Sequence, residues 1–355
     1  MKNIVVFCDG TGNEVQDGAQ SNVLELYRRI DQSDVQRQIA YYDPGLGTLP
    51  SASIQTRTGR AFNKVVGLAF GYGLPTNIKQ AYLFLMNNYE QGDRIFLYGF
   101  SRGAYTVRAL AGMIEMCGLL LPNCENLVDY ALKVHRQKSG NQWKVAARFK
   151  KYFPTHDFPD GHKPIHFVGV WDTVKSIGLF RSSLTLPHTR NMRAVAHGRH
   201  AVALNEKRSK YRPSLWNPDL AGKISPITNK PRFKEVWFPG VHSNVGGGYE
   251  ESGISDITLD WMIKESVLHG LILNTDSDSR PVEPNASGKI HNPLFPFWWV
   301  LGWLRRKLPH DAVVHESVFK RVDTDERFAE FYKEISSDCD SIEVESSRIE
   351  MRQGN

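Results

Sequence analysis

Along the chain, short continuous apolar runs alternate with longer stretches whose apolar residues keep helical spacing. Five runs read as strands: Asn3–Cys8, Arg37–Tyr42, Arg94–Tyr98, Ile165–Trp171 and Glu235–Phe238. Several are apolar at every position, as parallel strands covered on both faces require. Between them, Asn22–Ile30, Leu74–Tyr89, Gly103–Cys117 and Arg193–Arg208 read as helices. In the second of these, Ile78, Ala81, Tyr82, Leu85 and Met86 share one helical face, and Gln91-Gly92-Asp93 then turns the chain into the next strand.

This alternation predicts an α/β fold, an α/β-hydrolase-like doubly wound and mainly parallel sheet. The simplest strand order is 2-1-3-4-5, with a ligand crevice beyond the carboxyl ends of strands one and three. Two stretches without strand signals, about 119–164 and 178–232, read as insertions over the active site. Residues 1–335 are predicted to form one catalytic domain, and the Ser-, Asp- and Glu-rich residues 336–355 a flexible tail.

Composition adds limits rather than identity. With 355 residues, 41% hydrophobic and 23% charged, the chain has material for a large core. The net charge of 44 − 38 = +6 suits an anionic partner surface without specifying one. Cys8, Cys117, Cys124 and Cys339 sit at no metal-ligand spacing, so reduced thiols, no metal and no cofactor are expected. MKNIVVFCDG reads as a strand rather than a signal peptide, and no apolar run approaches the ~18 residues of a membrane span. A cytoplasmic location is the default expectation, with export by a non-cleaved route left open.

The chemistry is carried by RIFLYGFSRGAYTVRAL, residues 94–110. Gly99-Phe100-Ser101-Arg102-Gly103 satisfies the G-x-S-x-G elbow, in which a serine occupies a strained turn between strand and helix. Glycines at both flanks, Gly99 and Gly103, avoid clashes with neighbouring elements. The flanking pattern is the required one, a strand before and a helix after. The alternative is a tight turn whose serine only caps the helix.

A nucleophilic serine needs a base, and the base needs a carboxylate to hold its tautomer. Both are sought at later strand ends, in the order Ser, Asp, His. Asp172 ends the run Val170-Trp171-Asp172, and His242 follows Phe238-Pro239-Gly240-Val241. His315, in Val313-Val314-His315-Glu316-Ser317, is the second-choice base. The Arg102 N–H and that of Gly10 or Thr11, in the loop after the first strand, are candidate oxyanion donors. Asp9-Gly10-Thr11 also resembles the opening of aspartyl phosphatases, but Phe7 stands where their nucleophile would be, so that chemistry is lost. Asp9 is left to brace its loop.

The segments VVFCDGTGN, NIKQAYLFLMNNY, GDRIFLYGFSRGAYTVRALAGMI, FVGVWDTV, AVALNEKRSKYRPSLW, VWFPGVHSNVGGGY and VHESV, in collinear order over about residues 3–320, resemble one α/β-hydrolase family. Its domain forms the catalytic part of type VI secretion phospholipase effectors. The resemblance implies a lipolytic Ser-Asp-His triad, which falls on Ser101, Asp172 and His242. It also implies a lipid or acyl-ester substrate. Secreted members carry long membrane-binding extensions, so this sequence is expected to supply the hydrolase unit.

Two further segments bear on substrate and partner. Phe295–Lys307 sets Trp298, Trp299 and Trp303 beside Arg305 and Arg306. It is too short to span a bilayer, and it either meets anionic lipid at the headgroup level or packs as an aromatic strap. The basic stretch Arg190–Arg212 reads as a solvated helix face, and no nucleic-acid partner is expected because aromatic interleaving is sparse. An ester hydrolase is the leading reading. A non-catalytic membrane-binding module, or a thioesterase or peptidase with the same triad, are the alternatives, and an inhibitory or activating protein partner is left undetermined.

Overall fold

Strand β1 (Asn3–Cys8) lies second from one edge of a parallel sheet, with β2 (Gln38–Asp43) on one side and β3 (Arg94–Phe100) on the other. The computed structural model describes residues 1–10, 19–45, 73–137, 140–158, 162–174, 186–220, 224, 231–276, 278–292, 302, 304–337, 339 and 341–347. Among these, the sheet continues through β4 (Ile165–Trp171), β5 (Val195–Ala203), β6 (Phe233–Phe238), β7 (Asp311–His315) and β8 (Ser341–Glu345). The spatial order is β2-β1-β3-β4-β5-β6-β7-β8, and each neighbouring pair is parallel.

Parallel strands must bury both faces, and the period of two divides each strand between two cores. From β1, Ile4, Val6 and Cys8 enter one apolar cluster. That cluster packs beneath helices α2 (Leu74–Asn88), α3 (Arg102–Cys117), α4 (Glu125–Arg136) and α5 (Gln142–Tyr152). Val5 and Phe7 enter the opposite cluster, under α1 (Asn22–Arg29) and α7 (Gly253–Leu268), with the short α6 (His242–Gly246) between β6 and α7. A third cluster joins β7 to α8 (Glu316–Val322) and α9 (Glu326–Ser336).

Three expectations change. The stretch Arg193–Arg208, read as a helix, contains the central strand β5. Its His197, Arg199 and His200 are buried in the sheet rather than solvated on a helix face. Arg199 Nε donates to Glu265 Oε2 at 2.6 Å, and the His200 ring bonds Glu235 at 2.8 Å. The final strand of the sequence reading is therefore the sixth. The helices of 119–164 do not roof the crevice; α4 and α5 pack on α2 and α3 within the first core. The tail read as flexible supplies the edge strand β8, paired in register with β7 from Asp311↔Ser341 to His315↔Glu345.

Candidate active site

The chain reverses direction of winding between β1 and β3, and the crevice beyond their carboxyl ends is where an open α/β sheet places ligands. Ser101 stands there, at the N-cap of α3, with φ 57° and ψ −119°. A non-glycine residue in that region stores strain of about 1–3 kcal/mol, held by the surrounding contacts. Those contacts are close. A Cβ on Gly103 would lie 2.0 Å from the Cys8 carbonyl oxygen, and one on Gly99 would lie 2.6 Å from the Gly103 carbonyl. Bare glycines let β3 and α3 meet at the angle that lifts the serine off the sheet.

His242 is the first residue of α6, which begins just after β6. The two loops flanking it are tied together, with Gly240 N–H donating to Asn205 Oδ1 at 2.7 Å and Asn205 N–H to the Gly240 carbonyl at 2.9 Å. The imidazole packs on the Phe100 ring, centroids 4.6 Å apart, and meets the Tyr211 ring edge-on at 4.8 Å. Its Nε2 lies 2.8 Å from Ser101 Oγ, and its Nδ1 lies 2.5 Å from Asp172 Oδ2. A carboxylate can only accept, which assigns the proton to Nδ1 and leaves the Nε2 lone pair for the serine hydroxyl.

Asp172 follows β4 directly, fully buried and with φ 35°. Its Oδ1 accepts the Ala203 N–H at 3.0 Å. The Arg306 guanidinium takes both carboxylate oxygens, Nη1 to Oδ1 at 2.6 Å and Nη2 to Oδ2 at 3.1 Å. Burial alone would raise the Asp172 pKa. The Arg306 charge, then the His242 bond, more than reverse that and hold the carboxyl well below the usual carboxylate range. Burial lowers the His242 pKa, and the bond and charge of Asp172 offset this only in part.

Sequence reasoning missed the residues that enclose this line. Glu206, itself buried, accepts the His242 backbone N–H at 3.2 Å and is clasped by Arg208 at 2.8 and 2.9 Å. The Arg208 guanidinium lies 3.6 Å from the Tyr211 ring centroid. One signal was available, because Asn205-Glu206 follows the carboxyl end of β5, the same sheet edge that carries Ser101, Asp172 and His242.

Other candidates fall differently. The Gly10 N–H donates to Asp9 Oδ1 at 2.6 Å, so it is occupied, correcting its assignment as an oxyanion donor. Asp9 Oδ2 accepts from Tyr42 OH at 2.7 Å and from Ser21 Oγ, so Asp9 does brace the loop. Arg102 is the first residue of α3, directly after Ser101. Thr11, Trp298, Trp299 and Trp303 lie outside the described residues.

Arg306, read as a substrate or membrane contact, is instead buried on Asp172, because a carboxylate inside the protein demands a paired cation. Arg305 stays at the surface, ion-paired with Glu334. His315 ends β7 away from Ser101; its ring caps α8, bonding Ser317 Oγ at 2.8 Å and stacking on Phe238. A cleft of about 640 Å³ lined by Ile114, Glu115, Lys150 and His156 sits at the far end of α3. At 1.5 Å per residue, that end is roughly 20 Å from Ser101. Among the described residues no cluster of His, Cys, Asp and Glu is placed to hold a metal ion, and no helix is long and apolar enough to cross a membrane.

A parallel sheet with a serine at the strand–helix elbow, bonded to a histidine from a later strand end, defines an α/β-hydrolase-like protein. The family model described as T6SS, phospholipase effector Tle1-like, catalytic domain matches residues 2–265, and the chain belongs to that family. A curated relative is the uncharacterized protein YEL023C of Saccharomyces cerevisiae (strain ATCC 204508 / S288c), 37% identical over 229 residues. The match covers 61% of this chain and 33% of the yeast protein, so the chain spans about a third of that relative's length. Among solved structures, an uncharacterized protein from Pseudomonas aeruginosa aligns with a TM-score of 0.43 and 19% identity, covering 77% of this chain and 46% of its own. The Tle1 effector bound to the VgrG spike from the type 6 secretion system aligns with a TM-score of 0.37 and 22% identity, over 70% and 51% of the two chains.

Proposed function

We propose that the protein is a serine hydrolase that cleaves carboxylic esters of lipids, with phospholipid acyl esters as the leading substrate. The observation that carries this reading is the unbroken line from Ser101 Oγ through His242 to Asp172, with links of 2.8 and 2.5 Å. Family membership favours a lipid as the acyl donor.

In the reaction, Ser101 Oγ attacks the ester carbonyl as its proton passes to His242 Nε2. The resulting oxyanion is held by the Arg102 N–H and by an N–H of the loop after β1, for which Thr11 remains the candidate now that Gly10 is occupied. His242 then returns the proton to the leaving alcohol, giving an acyl-serine. Water repeats the sequence, with His242 again as base, and releases the fatty acid. Asp172 keeps the imidazole in the Nδ1–H tautomer and stabilises its cation.

The test is fluorophosphonate labelling together with hydrolysis of short acyl esters, followed by a phospholipid panel resolved by the chain position released. The wild type should label and turn over. Ser101→Ala should not label and should lose several orders of magnitude in kcat. A folded wild-type protein that neither labels nor hydrolyses any ester overturns the proposal.

A further inference from the structure

We propose that Arg306 is a positioning residue for this site: its guanidinium grips both oxygens of Asp172 and keeps the Asp172–His242 pair from taking up a proton at neutral pH. The consequence for turnover rests on the hydrolase reading; the contact itself does not.

Among the described residues, four donors reach the carboxylate. Ala203 N–H and Arg306 Nη1 reach Oδ1, while His242 Nδ1 and Arg306 Nη2 reach Oδ2. A carboxylate gripped by a planar fork cannot rotate, so the lone pair facing His242 is fixed in direction. The fork is fixed in turn, since Nη1 also donates to the Ala203 carbonyl at 2.6 Å and Nη2 to that of Tyr211. Its segment is fastened beside the loop after β5 by Leu304 N–H donating to the Lys207 carbonyl at 2.7 Å. Arg306 lies beyond the residues 2–265 matched by the family model.

The charged and titratable groups around the pair come from several elements. Arg306 faces Asp172 from the segment before β7, and Glu206, Arg208 and Tyr211 face His242 from the loop after β5. Asp172 acts by charge on His200 of β5, and Arg208 and Glu206 act on Tyr249. Arg102 follows Ser101 at the start of α3. Among the described residues, only Arg306 and His242 donate side-chain bonds to Asp172. Removing the Arg306 cation must therefore raise the proton affinity of the coupled pair, whichever partner takes the proton.

The experiment is an ¹⁵N-imidazole NMR titration of His242 in the wild type, Arg306→Gln and Arg306→Lys, paired with pH profiles of kcat/KM. In Arg306→Gln the midpoint should rise by about one unit or more. On the acid side kcat/KM should then fall about tenfold. Arg306→Lys, which keeps the charge and loses the fork, should hold the midpoint near wild type while kcat drops. A merely structural role would lower the yield of folded protein without moving the midpoint, so a folded Arg306→Gln with an unchanged midpoint overturns the proposal. Arg306→Met is read the same way if the glutamine variant does not fold. In the unaltered protein, the ¹³C signal of the Asp172 carboxyl should still read ionised at pH 4, near the ordinary aspartate value of 3.8; half-protonation there also overturns it. Fluorophosphonate labelling is scored separately. Its absence counts against the hydrolase reading, and the titrations still decide the role of Arg306.

Discussion

Gly103 faces the carbonyl of Cys8 so closely that a methyl group on it would stand 2.0 Å from that oxygen. The obstacle is backbone of a strand paired on both sides, which cannot swing aside as a flexible side chain would. Gly103→Ala should therefore cost about 3 kcal/mol or more, as overpacking against rigid neighbours does. The check is a denaturant midpoint, with labelling of Ser101 lost in proportion to the folded fraction. A change within about 0.5 kcal/mol would show that the elbow is not packed this tightly against β1.

The strain at Ser101 gives a second comparison. At φ 57° glycine is at ease and alanine is not. Ser101→Gly and Ser101→Ala should both abolish labelling, yet the glycine variant should be more stable by about 1 kcal/mol. Equal stabilities, or the reverse order, would mean the turn carries no strain.

For the pH dependence, the base must be neutral to accept the serine proton. Burial lowers the His242 pKa from its ordinary 6.5 despite the opposing effect of Asp172. Activity should therefore persist as pH falls below 6.5, with the acid limb of kcat/KM lying beneath that value. A limb above 6.5 in the wild type would contradict this electrostatic account of the site.

The sequence reading located β1, β3, β4, the elbow and all three members of the hydrogen-bonded line because each follows a local rule. Apolar runs mark covered strands, paired glycines mark the turn, and the carboxyl ends of strands mark the chemistry. It failed where long-range pairing overrides pattern. In β5, polar residues sit inside the sheet because Glu265 and Glu235 come from α7 and β6 to meet them, and nothing within Val195–Ala203 announces those partners. As an edge strand, β8 is half exposed, so its acidic and apolar alternation resembles a loose tail. Arg306 looked like part of an interfacial basic cluster because Asp172, its partner, is 134 residues away.

His315 supplies a control for the choice of base. Its ring accepts the Ser317 N–H at 3.2 Å and caps α8. Burial pushes its pKa down to about 4, with Glu316 opposing and Lys320 and Lys264 adding. As pH falls from 6.5 toward 4 the unfolded chain binds a proton that the folded ring refuses, so stability declines across that window. His315→Gln should keep fluorophosphonate labelling, lose about 1 kcal/mol near pH 7 with the cap, and show a flatter decline below 6.5. Loss of labelling in a folded variant would return His315 to candidacy as the base.

The deepest test of the sheet is the pair Arg199–Glu265. Arg199 is fully buried in β5, and Glu265 reaches it from α7 at 2.6 Å while also holding Lys234 at 3.1 Å. Burial would raise the Glu265 pKa, but Arg199 and then Lys234 bring it to about 2. Its stabilising contribution is thus present above the ordinary 4.5 and is lost as pH falls through the folded value near 2. Glu265→Gln should cost about 3–5 kcal/mol at neutral pH, chiefly because it strands a buried guanidinium, and should remove this part of the acid dependence. Replacing both partners with apolar residues, Arg199→Met with Glu265→Leu, should recover much of that loss, since the penalty belongs to the unpaired charge rather than to the missing bond. Denaturant midpoints of the two single variants and the double variant decide the matter, and a double variant no more stable than Glu265→Gln would show that the pair does not act as one buried unit.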